Sequence, residues 1–309
     1  MGFLAGLYAH GDDALYNSFE EAYETLKEVS PELLASFEEE LKESQSRTFL
    51  YGDKLVSVID TVELDKTATR TLILNRRPHL VQTAVKVGSP GAPYTYGGPA
   101  PLSETHLGGL ALSLLMSPQA RPHCAIIGAG GCTLANTLTS FDLSSLTAVE
   151  PCASVRSAAL LFFGADTSKF SLVGGDGLSY LGHQPPSSLD LLIIDADDGN
   201  IPPKSMSTKE FFLDSVAPVL SADGVVAINA IGTSEELSAL EATVRDSFPN
   251  HYTASIPAPP EAEVDSDRHT LLFVTPSPIV PHELEALLEK RPVVSEPQAW
   301  MNSIHQSIT

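Results

Sequence analysis

Basic residues are scarce in this chain: 18 Lys and Arg stand against 39 Asp and Glu in 309 residues, a net charge of −21. Such a surface repels a phosphate backbone, which excludes nucleic acid as a partner. It would attract a cation, a polyamine or a basic protein, although an acidic face can also serve solubility alone. Cysteine is scarce too, with only Cys124, Cys132 and Cys152, and no C-x-x-C or Cys/His cluster. A disulfide frame and a structural metal are therefore not expected, and the thiols read as small packed groups in a reducing, cytoplasmic setting. Long apolar runs are missing: none approaches the roughly 18 residues of a membrane helix, so no membrane partner is expected. The first twenty residues have no basic flank and soon turn acidic, unlike a secretory or transit signal. Position 6 is Gly6, where the myristoylation pattern wants Ser or Thr.

What is present is the balance of a globular protein, 43% apolar and 18% charged. The length suits one large domain, or one with a smaller appendage. Residues 1–50 read as acidic helices, with a capping box at Ser18 and Glu21 and a helix start at Ser30-Pro31-Glu32. From Lys54 the pattern alternates (LVSVIDTVEL, TRTLILN, HLVQTAVKV), and residues 54–87 read as a small antiparallel sheet with a turn at Asn75-Arg76-Arg77-Pro78. The Gly/Pro-rich link of 88–104 is irregular. ETHLGGLALSLLMS (104–117) then reads as an apolar helix. The expected division is a helical and β N-terminal region over 1–100 and a second domain over 101–309.

Within the second domain, short apolar runs alternate with helical stretches: CAIIGAG, LTAVE, FSLVGGD, LDLLIID and GVVAINA. These read as parallel strands buried on both faces, with further strands near 252–256 and 270–275. In an open parallel sheet ligands sit beyond the carboxyl ends of the strands, so the residue that ends each strand matters most. The first ends in Gly128-Ala129-Gly130-Gly131-Cys132, small enough for close backbone approach. The second ends in Glu150, 22 residues after Gly128, where a carboxylate can accept both hydroxyl hydrogens of an adenosine ribose. The third leads to Asp176-Gly177, where an acid can read the adenine amine. The fourth ends in Asp195-Ala196-Asp197-Asp198. A dinucleotide fingerprint would need a third glycine at position 133, which is Thr133.

The strand-end pattern resembles the class I S-adenosylmethionine methyltransferase fold, and AIIGAGG with a preceding β region resembles its spermidine synthase-like branch. Within that branch the chain is nearer to the C-terminal domain of the dual elongation factor 1A methyltransferase (the methyltransferase-like 13 type). That likeness runs from about Leu72 to the C-terminus through LILNRRPHLVQTAVKV, ETHLGGLALSLL, GAGGCTLAN, VEPCASV, GDGLSYL, LLIIDADDGN and HTLLFVTPSP. Its most specific matches are Val81-Gln82 and Gly109-Leu110-Ala111-Leu112. The resemblance implies a doubly wound, seven-stranded α/β sheet, S-adenosylmethionine as cofactor, no metal, and methylation of a protein amine, an N-terminal α-amine or a lysine. A homodimer through the β region is implied by resemblance only.

The alternative within the branch is an aminopropyltransferase using decarboxylated S-adenosylmethionine and a polyamine. Asp195 and Asp198 match its D-x-x-D signature, but the proline that follows there is Gly199 here. The Asp-Glu pair expected after the hairpin is replaced by Gln82-Thr83-Ala84-Val85, and residues 180–190 contain no Tyr-Gln-Asp. A third reading, from another class, is a non-catalytic scaffold that keeps the fold. For either transfer the amine must be neutral, desolvated and in line. Asp195 is the expected group that holds the ammonium and accepts its proton, with Asp197 or Asp198 assisting. The alternative for 197–200 is a solvated turn. The expected cofactor contacts are Gly128, Ala129, Gly130, Gly131, Glu150, Asp176, Gly177 and Asp195. Tyr94 and Tyr96 read as packed tyrosines that could line the mouth, and His106 as a core or helix-surface histidine. Asn229 ends the fifth strand, where it could face the amine. Cys132 stands where relatives often have a further glycine; a thiol is small enough to fit there, but a weaker cofactor contact is expected.

Overall fold

The computed structural model describes residues 47–62, 67–78, 81–94, 105–198, 202–257, 268–290 and 297–308. The strand-forming alternation after residue 46 produces an antiparallel meander of β1 (Arg47–Gly52), β2 (Val56–Val62), β3 (Ala68–Leu74) and β4 (Val81–Val87), paired in that order. Residues 47–50, expected in a helix, instead open β1, because the β-branched and aromatic run RTFLYG pairs with β2. The other expected acidic helices, over 1–46, lie outside the described residues, as does Tyr96. Tyr94 packs against the apolar cluster of the small sheet.

A connecting helix, α1 (Thr105–Met116), leads into β5 (His123–Ile127), α2 (Thr133–Leu138), β6 (Ser145–Glu150), α3 (Ala153–Phe162), β7 (Ser171–Gly174), α4 (Gly177–Gly182) and β8 (Leu189–Ile194). A 3₁₀ turn and a π-helical turn precede β9 (Leu220–Gly232). Then follow α5 (Ser234–Ser247), β10 (Tyr252–Pro257), β11 (Arg268–Thr275), α6 (Pro281–Lys290) and α7 (Pro297–Ile308). The strand order is β10-β11-β9-β8-β5-β6-β7, parallel from β9 to β7 and antiparallel at β10 and β11.

Burial along the central strands explains the layers. Ile126, Ile193 and Ala227 enter one apolar cluster, while Ile127, Ile194 and Ile228 enter another. Strands apolar on both faces require cover on both, which is the doubly wound arrangement. The order reverses at β5, whose neighbours are β6 and β8, and this switch point is where a crevice opens above the strand ends.

The small sheet is fixed beside that crevice. Val56, Val58, Leu72 and Val85 pack with Val155, Ala158 and Phe163 of the α3 region. Arg70 and Asp60, 2% and 0% exposed, form a bidentate pair at 2.8 Å per bond. The same guanidinium donates to the carbonyls of Phe162 and Ala92, and Gly91 N–H donates to Asp60.

Candidate active site

Gly128 closes β5 with φ +92°, a left-handed conformation that favours glycine, and a Cβ there would run into the Asp195 carbonyl. Its N–H donates to Val149 O at 2.9 Å, tying the loop to β6. Gly131 N–H donates to Thr83 Oγ1 at 2.8 Å, and a Cβ on Gly131 would strike the Thr83 side chain. These two glycines therefore make room for the protein itself, at β8 and at β4. Gly128, Ala129 and Gly130 line the crevice, whereas Gly131 does not. At Gly131, an expected cofactor contact, Thr83 takes the N–H and the space beside it.

Cys132 follows at φ +63° and is fully buried in the apolar core. Burial, with the nearby Glu150 charge, pushes its thiol up to about 12. It packs in the core and is not among the residues that line the crevice.

Glu150 is 8% exposed at the end of β6. Its Oε1 accepts from Cys152 N–H at 2.9 Å and its Oε2 from Gly130 N–H at 3.3 Å. Burial raises its pKa although these N–H groups and Arg156 pull the other way. Asp176 caps α4, its Oδ1 accepting from Ser179 N–H at 2.9 Å. Gly177 is needed where it stands, because a Cβ would strike Ile127 and Met206.

Asp195 directly follows β8. Burial pushes its carboxyl up to about 7; the Asn229 hydrogen bond opposes this, and the Asp197 charge adds to it. Asp197 is held by Arg77 at 2.6 Å and by Gln82 Nε2 at 3.1 Å, which ties the end of β8 to the small sheet. Asp197, one of the two acids expected to assist Asp195, is thus paired with a guanidinium while it also lines the crevice. Asp198 lines the crevice.

One cavity of about 1110 Å³ is lined together by Gly128, Ala129, Gly130, Glu150, Asp176, Gly177, Asp195, Asp197 and Asp198. That is ample for a nucleoside-sized ligand and an acceptor group. The donor set fits an adenosine cofactor: carboxylates stand at three strand ends, and Thr133, 8% exposed on the wall, has a buried hydroxyl with no hydrogen-bond partner. A buried polar atom of that kind is costly unless something meets it.

Four lining residues gain a meaning here that the sequence did not give them. His106 and His269 face Asp195 and Asn229, and Gln82 and Thr83 join the loop and strand ends to β4. Val81-Gln82 and His106 were visible as a motif and as a histidine on an apolar helix. His269 sat unremarked at the start of a strand. Among the described residues no group of His, Cys, Asp and Glu is placed to hold a metal ion, and no helix is long and apolar enough to cross a membrane.

The fold, a seven-stranded sheet with a small antiparallel sheet before it, is the one seen in solved spermidine synthases. A probable spermidine synthase from Corynebacterium glutamicum superposes with TM-score 0.63 at 17% identity, covering 85% of this chain and 94% of that one. Spermidine synthase from Thermotoga maritima gives TM-score 0.53 at 16% identity, covering 74% and 73%. Human methyltransferase-like protein 13 in complex with SAH gives 0.48 at 20% identity, covering 65% and 93%. At these identities the likeness is one of fold. No family model matches the chain, and no curated protein matches it by sequence.

Proposed function

We propose that the chain is an S-adenosylmethionine-dependent methyltransferase whose acceptor is a protein amine. That amine is an N-terminal α-amine or a lysine on a basic target such as elongation factor 1A. The observation that carries this reading is a single cavity lined by the glycine loop, Glu150, Asp176 and the half-buried Asp195. Glu150 would hold the ribose hydroxyls, Asp176 the adenine amine, and the backbone of residues 128–130 with Thr133 the remaining polar edge. When bound, this cofactor supplies a methyl group already activated on a sulfonium. What remains for the chain is to deliver the amine neutral and desolvated. A carboxyl near 7 suits that task, since at neutral pH it can hold an ammonium and take its proton. Asp198 would help to attract the ammonium, while Asp197, bound by Arg77, keeps the strand end in place. The unpaired thiols fit a reducing, cytoplasmic setting.

Asp195 and Asp198, both on the cavity wall, also favour a second reading, aminopropyl transfer to a polyamine. Against it, the proline that follows the D-x-x-D signature is Gly199 here, and the Asp-Glu pair expected after the hairpin is replaced by Gln82-Thr83-Ala84-Val85. The test is incubation with labelled S-adenosylmethionine and a cell extract, followed by mass spectrometry. Label on a protein N-terminus or lysine supports the lead reading. Label confined to a small molecule removes it. Absence of binding by S-adenosylmethionine and by its decarboxylated form, in a folded sample, favours a scaffold.

A further inference from the structure

The Asp195 carboxylate has neighbours that the reading above does not use. Asn229 Nδ2 donates to Asp195 Oδ1 at 2.8 Å, and Asn229 Oδ1 meets His269 Nε2 at 2.6 Å. His106 Nε2 stands 3.9 Å from the same Asp195 Oδ1, and the rings of His106 and His269 lie 5.4 Å apart, tilted by 49°. The four side chains come from the end of β8, from β9, from β11 and from α1, and all four line the cavity. Asp197, whose charge acts on Asp195 and whose partners are Arg77 and Gln82, and Asp198 on the same turn line the same cavity.

An amide has one donating end and one accepting end. With Nδ2 given to the carboxylate, Asn229 Oδ1 must accept, so His269 has to present its N–H at Nε2. His269 thereby fixes which way Asn229 faces. Without it the amide is free to turn, and one of its two orientations sets oxygen against oxygen.

We propose that His106 shares the proton of the site with Asp195, and that His269, through Asn229, is the positioning residue that holds the Asp195 oxygen for it. The purpose of the proton rests on the amine-transfer reading; the pairing does not. In that reading an arriving ammonium loses one proton to Asp195 Oδ1 or to His106 Nε2, and the electron pair of the broken N–H bond stays on nitrogen as its lone pair. His106, 20% exposed, is the route by which the proton returns to water. A carboxyl titrating near neutrality beside an imidazole gives a pair in which one proton has two seats.

The test is a pH titration of the full chain, labelled with ¹⁵N-histidine and followed by long-range ¹H–¹⁵N spectra, without cofactor. The expected wild-type result is His269 as the Nε2–H tautomer at neutral pH. In Asp195→Asn the His106 titration midpoint should fall by about one unit, a roughly tenfold loss of proton affinity, because the anion that favours its charged form is gone. His269→Gln, which still offers an N–H, should leave the His106 midpoint near wild type, whereas His269→Leu should displace it. An unchanged His106 midpoint in Asp195→Asn would overturn the shared proton. The Nδ1–H tautomer at His269 would overturn the positioning role, and that readout needs no variant to fold. Neither depends on cofactor binding, so failure of the methyltransferase reading would show separately, as absence of S-adenosylhomocysteine binding.

Discussion

Asp60 in the small sheet and Asp195 at the end of β8 are both carboxylates drawn away from water, and the groups around them differ in kind. Asp60 receives two guanidinium N–H bonds and a backbone N–H, and the rest of Arg70 is spent on two carbonyls. Asp195 receives one neutral amide donor, has a like charge nearby, and opens onto the cavity. The first arrangement is complete and can only hold the sheet to α3 and the link. The second is incomplete, and its unmet capacity faces the space where a substrate would lie. Burial alone does not mark a site; burial with unfinished hydrogen bonding and a raised carboxyl does.

Breaking the complete arrangement should have the largest effect. Arg70→Met leaves Asp60 buried and uncompensated, at a cost of about 3–5 kcal/mol in urea unfolding. The incomplete site should respond with the opposite sign. The Asp195 pKa is raised from 3.8 to about 7 on folding, so the folded state binds the proton more tightly. The stability this contributes is full below about pH 4 and is lost as pH rises to about 7. Asp195→Asn should therefore be more stable than wild type by about 2 kcal/mol at pH 8, with the gap closing toward pH 4, while transfer is lost. A wild-type stability that does not fall between pH 4 and 7 would erase the contrast.

Smaller changes sharpen the comparison. Arg77→Gln should cost about 1 kcal/mol or less and leave the Asp197 charge uncompensated beside Asp195, moving the Asp195 titration further up, as read by a pH profile of unfolding. Thr133→Val removes a hydroxyl that has no partner in the folded chain. Its stability should stay within about 0.5 kcal/mol of wild type, while cofactor affinity drops about fivefold in calorimetry.

The contrast also explains what could be read in the sequence. The glycines, Glu150, Asp176 and Asp195 each close an apolar run, and a strand that ends at the switch point delivers its last residue to the crevice. Periodicity is local, so those positions were legible. The Arg77 bond to Asp197 spans 120 residues and the His269 bond to Asn229 spans 40, and no local pattern announces either. The surroundings of Gly131 and Cys132 were hidden for a related reason. A glycine-rich stretch shows that something approaches closely, but not whether it is a ligand or Thr83. The start of β1 was missed because the acidic run ahead of it carries the helical reading through residue 50.

Calorimetric titration of S-adenosylhomocysteine into the full chain, wild type against Glu150→Gln, tests the central claim most directly. The expected result is saturable binding at one site in the wild type, weakened at least about tenfold in the variant by loss of a charged acceptor. Wild-type chain that is folded yet takes up none, or a variant that binds equally well, would contradict an adenosine-binding crevice at the ends of β5, β6 and β8.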